Sequence, residues 1–211
     1  MTLPIIFFQL IVFLFSVIIH EVSHGLAALR LGDTTARDAG RLTLNPLPHL
    51  EFFGSFFLPL MMFLATGGAM IFGWARPVPY DPRFLKNPKV GAGLIAAAGP
   101  VSNFTVALVF GIAIRIFSSF GASDFGPLPL LLHIIVLTNV LLAVFNLVPI
   151  PPLDGSKILF ALLPYQYDNL RLWLERYGMV ILLVFIFYGF SLIQPIIGLI
   201  YRLFVGGGGL L

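Results

Sequence analysis

The chain has 211 residues, 59% hydrophobic and 10% charged, against about 25% charged in a soluble domain. This excludes a soluble enzyme with a single anchor. The net charge of +3, spread thinly with no basic stripe among aromatics, excludes a nucleic-acid binder. With no cysteine, any metal must be held by His, Asp, Glu or water.

Residues 4–29 form the first apolar run, long enough to cross a bilayer. It holds one acid, two histidines and no Lys or Arg. The run lacks a basic leader segment, so it is expected to be retained rather than cleaved. At its heart stands Val17-Ile18-Ile19-His20-Glu21-Val22-Ser23-His24-Gly25. Residues four apart on a helix lie about 40° apart around the axis, one turn above each other. His20 and His24 can therefore share one ion, while Glu21 projects about 100° away from His20. That is the arrangement of a zinc hydrolase: two imidazole ligands and a carboxylate to take a proton from water. In a soluble chain such a pair is often a chance surface match. Inside a membrane helix ionisable groups are costly, so a functional role is the default.

Residues 30–54 are more polar. The piece 40–44 has short strand-like character, followed by the breakers Asn45-Pro46 and Pro48. His49 follows. It is a candidate further ligand or substrate-positioning residue, although a lone loop histidine is more often neither. Residues 52–72 are apolar but carry Gly54, Pro59, Gly67 and Gly68. A Gly-Trp-Ala-Arg-Pro-Val-Pro stretch (73–79) and a polar stretch (80–89) come next.

The second span is residues 90–117, opened by small residues that let helices approach closely. Asn103 lies at membrane depth there, either as an interhelical hydrogen bonder or as a support of the site. The third span, 130–148, contains His133, read as lying near an interface, and Asn146. It runs into Pro149-Ile150-Pro151-Pro152-Leu153-Asp154-Gly155, whose prolines break the helix and hold the chain extended. A helix resumes over 156–163. The last apolar stretch, 177–204, is interrupted by Pro195 and reads as one span or a span plus a half-span.

Catalytic zinc takes three protein ligands and leaves one position open. Asp154, an acid held by prolines beside a span, is the expected third. For it to meet the histidines, the C-terminal ends of the first and third spans must lie at one membrane face. That requires 52–72 to dip in and return. The charges agree: Arg30, Arg37, Arg41, Arg76, Arg83, Lys86, Lys89, Lys157, Arg171 and Arg176 then collect at one face, leaving at the other Arg115, and Arg202 if the last run crosses once. The expected fold is therefore an all-α polytopic membrane protein in one domain, 1–211. It has four to six membrane segments, one of them re-entrant, and short strand-like loop elements. The metal would lie toward the cytosolic side.

His20-Glu21-Val22-Ser23-His24, Gly99-Pro100-Val101-Ser102-Asn103 and Asn146-Leu147-Val148-Pro149-Ile150-Pro151-Pro152-Leu153-Asp154-Gly155 together resemble the site-2 protease family of intramembrane zinc metalloproteases. The likeness covers most of residues 5–160 and points to the compact prokaryotic branch without a PDZ domain. It implies one zinc per chain on His20, His24 and Asp154, with Glu21 as general base. It also implies that Asn146 helps position substrate or the oxyanion. The implied partners are the bilayer of a prokaryotic plasma membrane and a membrane-protein substrate, either a single-span protein or a peptide remnant. The rival readings are a zinc transporter and a non-catalytic scaffold.

Overall fold

The fold is taken from a computed structural model, which describes residues 3–51, 76–119 and 126–207 together with Phe57, Met61 and Leu64. Its helices are α1 (Leu3–Arg30), α2 (Thr35–Asp38), α3 (Pro88–Ser119), α4 (Leu128–Asn146), α5 (Asp154–Leu162), α6 (Asp168–Val184) and α7 (Gln194–Val205). Among the described residues there is no strand. The protein is an all-α polytopic membrane protein. α1, α3 and α4 are each long and apolar enough to cross a bilayer. A fourth span results if Tyr165–Leu192 and Gln194–Val205, bent by 56°, are one broken crossing.

The sequence explains these limits. α1 has no interior breaker and stops where Gly32 takes φ 103°, a conformation that costs glycine little. α3 carries Pro100 inside it, which removes one backbone donor and loosens the local ladder. α7 begins at the Gln194-Pro195 pair, with proline in its first turn, where its missing N–H is no loss. α5 begins at Asp154 itself, so the acid opens a helix rather than ending the extended stretch. The 147–153 turn before it, whose Pro151–Pro152 peptide is cis, folds back tightly. A Cβ on Gly155 would sit 2.2 Å from the Leu147 carbonyl oxygen.

α1 and α3 run antiparallel: His24 meets Ile95 and His20 meets Asn103. α4 lies beside both, with Asn139 bonded to Asn103 and to Ser16. The main core joins α3, α4 and the C-terminal helices. Val136 and Val140 of α4 face Ile197, Tyr201 and Val205 of α7 there. α6 starts at the Asp154 end, where Gly178 rests on Pro151. α7 finishes at the opposite end, where Arg115 donates to the carbonyls of Phe204 and Leu203. The outward faces carry exposed Phe7, Leu10, Phe13, Val101, Leu108 and Val109. Water would penalise such a surface and hydrocarbon would not.

Arg30 and Pro88 lie at the same end of the bundle. Asp33 Oδ2 accepts the Asp81 amide at 2.7 Å, and Leu85 packs with Ala28 and Ile95. The expected re-entrant segment, 52–72, falls almost wholly outside the described residues. The 40–44 piece does not pair as a strand. Its Arg41 amide bonds back to Ala36, and the Thr43 carbonyl takes the His49 imidazole at 2.9 Å, so its backbone is committed to a local turn.

Candidate metal centre

One helical turn brings the His20 and His24 rings edge to face, with centroids 4.6 Å apart. Asp154 arrives from the start of α5. Its Oδ2 lies 3.0 Å from His20 Nε2 and 3.1 Å from His24 Nε2. Both His20 and Asp154 are buried. The meeting that the sequence requires therefore exists: two imidazoles from the first span and one carboxylate about 130 residues later in the chain converge on one point.

The other ring nitrogens decide what can sit there. His24 Nδ1 lies 2.7 Å from the Ile95 carbonyl, which only accepts, so Nδ1 carries the proton. His20 Nδ1 lies 2.7 Å from Asn103 Oδ1. Asn103 Nδ2 is already donating to the Ser16 carbonyl at 3.2 Å and to Asn139 Oδ1 at 2.9 Å. Both Nε2 atoms are thus left with lone pairs facing a carboxylate oxygen. Three electron-rich atoms this close repel one another unless a cation lies among them. Two neutral imidazoles and a carboxylate are a zinc donor set, so the residues present fit that ion.

Glu21 stands beside this point. His20, Glu21 and His24 offer donor atoms within 4.8 Å of one another, so by proximity either acid could complete a trio with the imidazoles. Their contacts separate them. Asp154 Oδ2 touches both imidazole nitrogens, whereas Glu21 Oε2 accepts the Val78 amide at 2.8 Å. The extended 76–79 segment that supplies this amide is held by Arg41, whose guanidinium donates to the Arg76 carbonyl at 2.6 Å. Burial and the like charge of Arg76 lower the Arg41 pKa, while Glu21 pulls it the other way. Gly25 lets this layer sit close, since a Cβ there would come 2.5 Å from Leu42 and 2.9 Å from Val78.

Glu21, the two histidines, Asn146, Asp154 and Lys157 share a cavity of about 150 Å³. A larger cavity of about 270 Å³ opens at the opposite end beside Arg115 and His133. The converging imidazoles and carboxylates line the smaller one. Among the described residues, no group of three potential metal donors stands away from His20, Glu21 and His24.

The remaining sequence candidates divide. Asn103 is fully buried and supports His20. Asn146 lines the cavity, with its amide turned back to the Leu142 carbonyl at 3.0 Å. His49 is fully buried outside the cavity. It fastens the 43–49 turn, and its own carbonyl accepts the Arg76 amide. His133 bonds to Tyr201 far from the centre. Sequence reasoning missed Ser16, Gly99 and Asn139. Gly99 is the barest of these: a Cβ there would lie 2.5 Å from the His20 ring and 2.6 Å from the His24 ring. Their signal was present as polar or absent side chains at membrane depth, without a partner to give it meaning.

The family model described as Peptidase family M50 matches residues 8–125 and 114–188. YwhC of Bacillus subtilis (strain 168) is 36% identical over 181 residues, covering 84% of this chain and 78% of that protein. Rip2 of Mycobacterium tuberculosis (strain ATCC 25618 / H37Rv) is 30% identical over 195 residues, 90% of this chain and 70% of that protein. Both carry the words zinc metalloprotease in their names. So does MJ0392 of Methanocaldococcus jannaschii, 38% identical over 86 residues, 41% of this chain and 24% of its own length. No solved structure matches.

Proposed function

This chain belongs to peptidase family M50, the site-2 protease family, and is a multi-pass membrane zinc metalloprotease; from that premise we propose that it cuts peptide bonds of membrane-embedded or membrane-proximal substrates. His20, His24 and Asp154 hold one zinc ion per chain, and Glu21 is the general base. The observation that carries this reading is the single Asp154 oxygen facing both imidazole nitrogens at 3.0 and 3.1 Å, with Glu21 beside them in a cavity between membrane helices.

When bound, zinc supplies Lewis acidity that polarises water and the scissile carbonyl. The chain's own groups do the rest. The Val78 amide occupies Glu21 Oε2, leaving the other oxygen to take a proton from the attacking water. Glu21 then returns that proton to the leaving amine. Asn146 would have to release the Leu142 carbonyl to reach a substrate carbonyl with its amide. It ends α4, and the proline-rich bend after it leads to Asp154 at the start of α5, so one continuous stretch of chain carries a ligand and a substrate contact. The apolar outer faces of the surrounding helices favour a substrate delivered by the bilayer. A helix entering the cavity must unwind locally, because a helical peptide bond is shielded by its own ladder.

The preferred orientation puts the centre toward the cytosolic side of a prokaryotic plasma membrane, since ten of the twelve basic residues lie on segments at its end of the molecule. The test is Glu21→Gln in proteoliposomes with a fluorescent single-span peptide. Zinc content should match wild type while cleavage falls to background. Full cleavage by that variant would remove Glu21 from the reaction. In parallel, His20→Ala and Asp154→Ala should each lose bound zinc; retention in both would place the ion elsewhere.

A further inference from the structure

Behind His20 lies a chain of side-chain amides that crosses three helices. Neither the motifs nor the proposed reaction uses its far end. The Ile135 carbonyl accepts from Asn139 Nδ2 at 2.9 Å, and the same nitrogen donates to Ser16 Oγ at 2.9 Å. Asn139 Oδ1 accepts from Asn103 Nδ2 at 2.9 Å. Asn103 Oδ1 accepts from His20 Nδ1 at 2.7 Å. Asn103 and Asn139 are wholly buried, and Ser16 is 4% exposed.

We propose that Asn139 is a positioning residue that selects the metal-binding tautomer of His20, acting through Asn103. The proposal rests on the reading of His20 as a zinc ligand. A neutral imidazole carries one proton, and its hydrogen-bond partner decides on which nitrogen. Only the form protonated on Nδ1 presents an Nε2 lone pair to a cation. The other form points an N–H at Asp154, satisfies the carboxylate internally and closes the site.

Asn103 alone cannot make this choice by shape, because the two ends of a side-chain amide are nearly the same size. It chooses by bonding. Turned over, its oxygen would face two acceptors, the Ser16 carbonyl and Asn139 Oδ1, and its NH₂ would face His20. Asn139 has the same ambiguity, and a group without ambiguity resolves it. The Ile135 carbonyl can only accept, so Asn139 must point its NH₂ there and its oxygen toward Asn103. Two backbone carbonyls therefore fix the bond directions: Ile135 behind Asn139 at 2.9 Å, and Ser16 directly behind Asn103 at a longer 3.2 Å. At membrane depth no bulk water can repair a mismatched link. Partners behind a metal-binding histidine typically change metal affinity 10- to 100-fold when removed. A helix–helix adhesive role, by contrast, would change stability and leave the affinity of the folded protein alone.

The experiment measures zinc dissociation constants of the purified full chain in detergent by chelator competition, alongside the visible spectrum of the cobalt form. Asn139→Leu should weaken zinc about tenfold and shift the cobalt bands. Asn103→Leu should weaken it at least as much. The double variant should be no weaker than Asn103→Leu alone, because Asn139 has no other route to the metal. Asn139→Asp, held as the neutral acid in this wholly buried position, donates its O–H to the Ile135 carbonyl and keeps an acceptor toward Asn103, so it should stay within about threefold of wild type, a much smaller loss than the outer-partner range. An unchanged constant in Asn139→Leu, or additive losses in the double variant, would overturn the proposal. If Asn139→Leu does not yield folded protein, Asn139→Ala is measured against the same two outcomes. His20→Ala is the separate control. Zinc binding there at wild-type strength would sink the ligand assignment itself, whereas lost binding there with an unaffected Asn139→Leu sinks the relay alone.

Discussion

At the scale of single residues, the centre depends on what is missing as much as on what is present. Gly99 of α3 faces the two imidazoles at a distance no Cβ could occupy. The rings are rigid and bonded on their far sides to Asn103 and Ile95, so they cannot step back without breaking those bonds. Overpacking of this kind costs about 1–3 kcal/mol, and about 1.4 kcal/mol is a tenfold change in binding. Gly99→Ala is therefore expected to fold but to bind zinc about tenfold or more weakly, read by the same chelator competition; wild-type affinity would show that the rings have room to move. This marks the limit of what was legible in the residues. His20, Glu21, His24 and Asp154 announce themselves because ionisable groups in an apolar chain have few cheap uses. Gly99, Ser16 and Asn139 do not, because glycine and small polar side chains also serve ordinary helix contacts, and only the coordinates say what they face. His49 shows the converse. Its residue type suggested chemistry; it lies buried outside the cavity, with Nε2 on the Thr43 carbonyl and Nδ1 buried without a hydrogen-bond partner among the described residues.

At the scale of elements, the long spans were legible because apolar length has one main explanation in a chain this poor in charge. Residues 4–29, 90–117 and 130–148 become Leu3–Arg30, Pro88–Ser119 and Leu128–Asn146. The last stretch was less so. It divides into α6, a wider π-helical continuation over 185–189 that tightens at 190–192, and α7, and α6 starts well before the apolar run, at Asp168, with Arg171 and Glu175 paired at 2.9 Å on its polar first turns. The 40–44 piece misled because alternating residues suit a strand only if a neighbouring strand is there to pair. What that piece does instead is carry Arg41, whose guanidinium ties down the segment that presents Val78 to Glu21. Arg41→Met leaves the Arg76 carbonyl without that donor, a loss of about 1–3 kcal/mol if the group stays buried. Since Arg41 touches no donor atom of the metal trio, zinc content should remain at the wild-type level while kcat drops and KM changes little. A parallel loss of zinc would mean that the 76–79 segment shapes the ligands and not just the base.

At the scale of the whole molecule, parity of crossings decides which ends meet. Because α1 and α3 are antiparallel neighbours, the chain leaves α1 and enters α3 at one end of the bundle, whatever path residues 52–72 take between. α4 returns to that end with Asp154, and the α6–α7 pair leads away from it, so the ends of α1 at Leu3 and α7 at Val205 share the far end. The basic residues follow the same division. Arg30, Arg37, Arg83, Lys86, Lys89 and Lys157 lie on segments at the metal end, and Arg115 and Arg202 at the other. A natural background without cysteine makes the orientation directly measurable. Asp38 and Lys86 are exposed at the metal end, and Ser119 is exposed at the far end. In intact cells a membrane-impermeant maleimide should label Ser119→Cys, while Asp38→Cys and Lys86→Cys should react only after the membrane is opened. Labelling of Asp38→Cys and Lys86→Cys from opposite sides would contradict the antiparallel pairing of α1 and α3 on which the centre depends. Labelling of both from outside, with Ser119→Cys protected, would keep the fold and invert the molecule, so that the centre would meet substrates from the other face. The two failures are separable because parity is a property of the chain, whereas orientation is imposed by where its cations can cross.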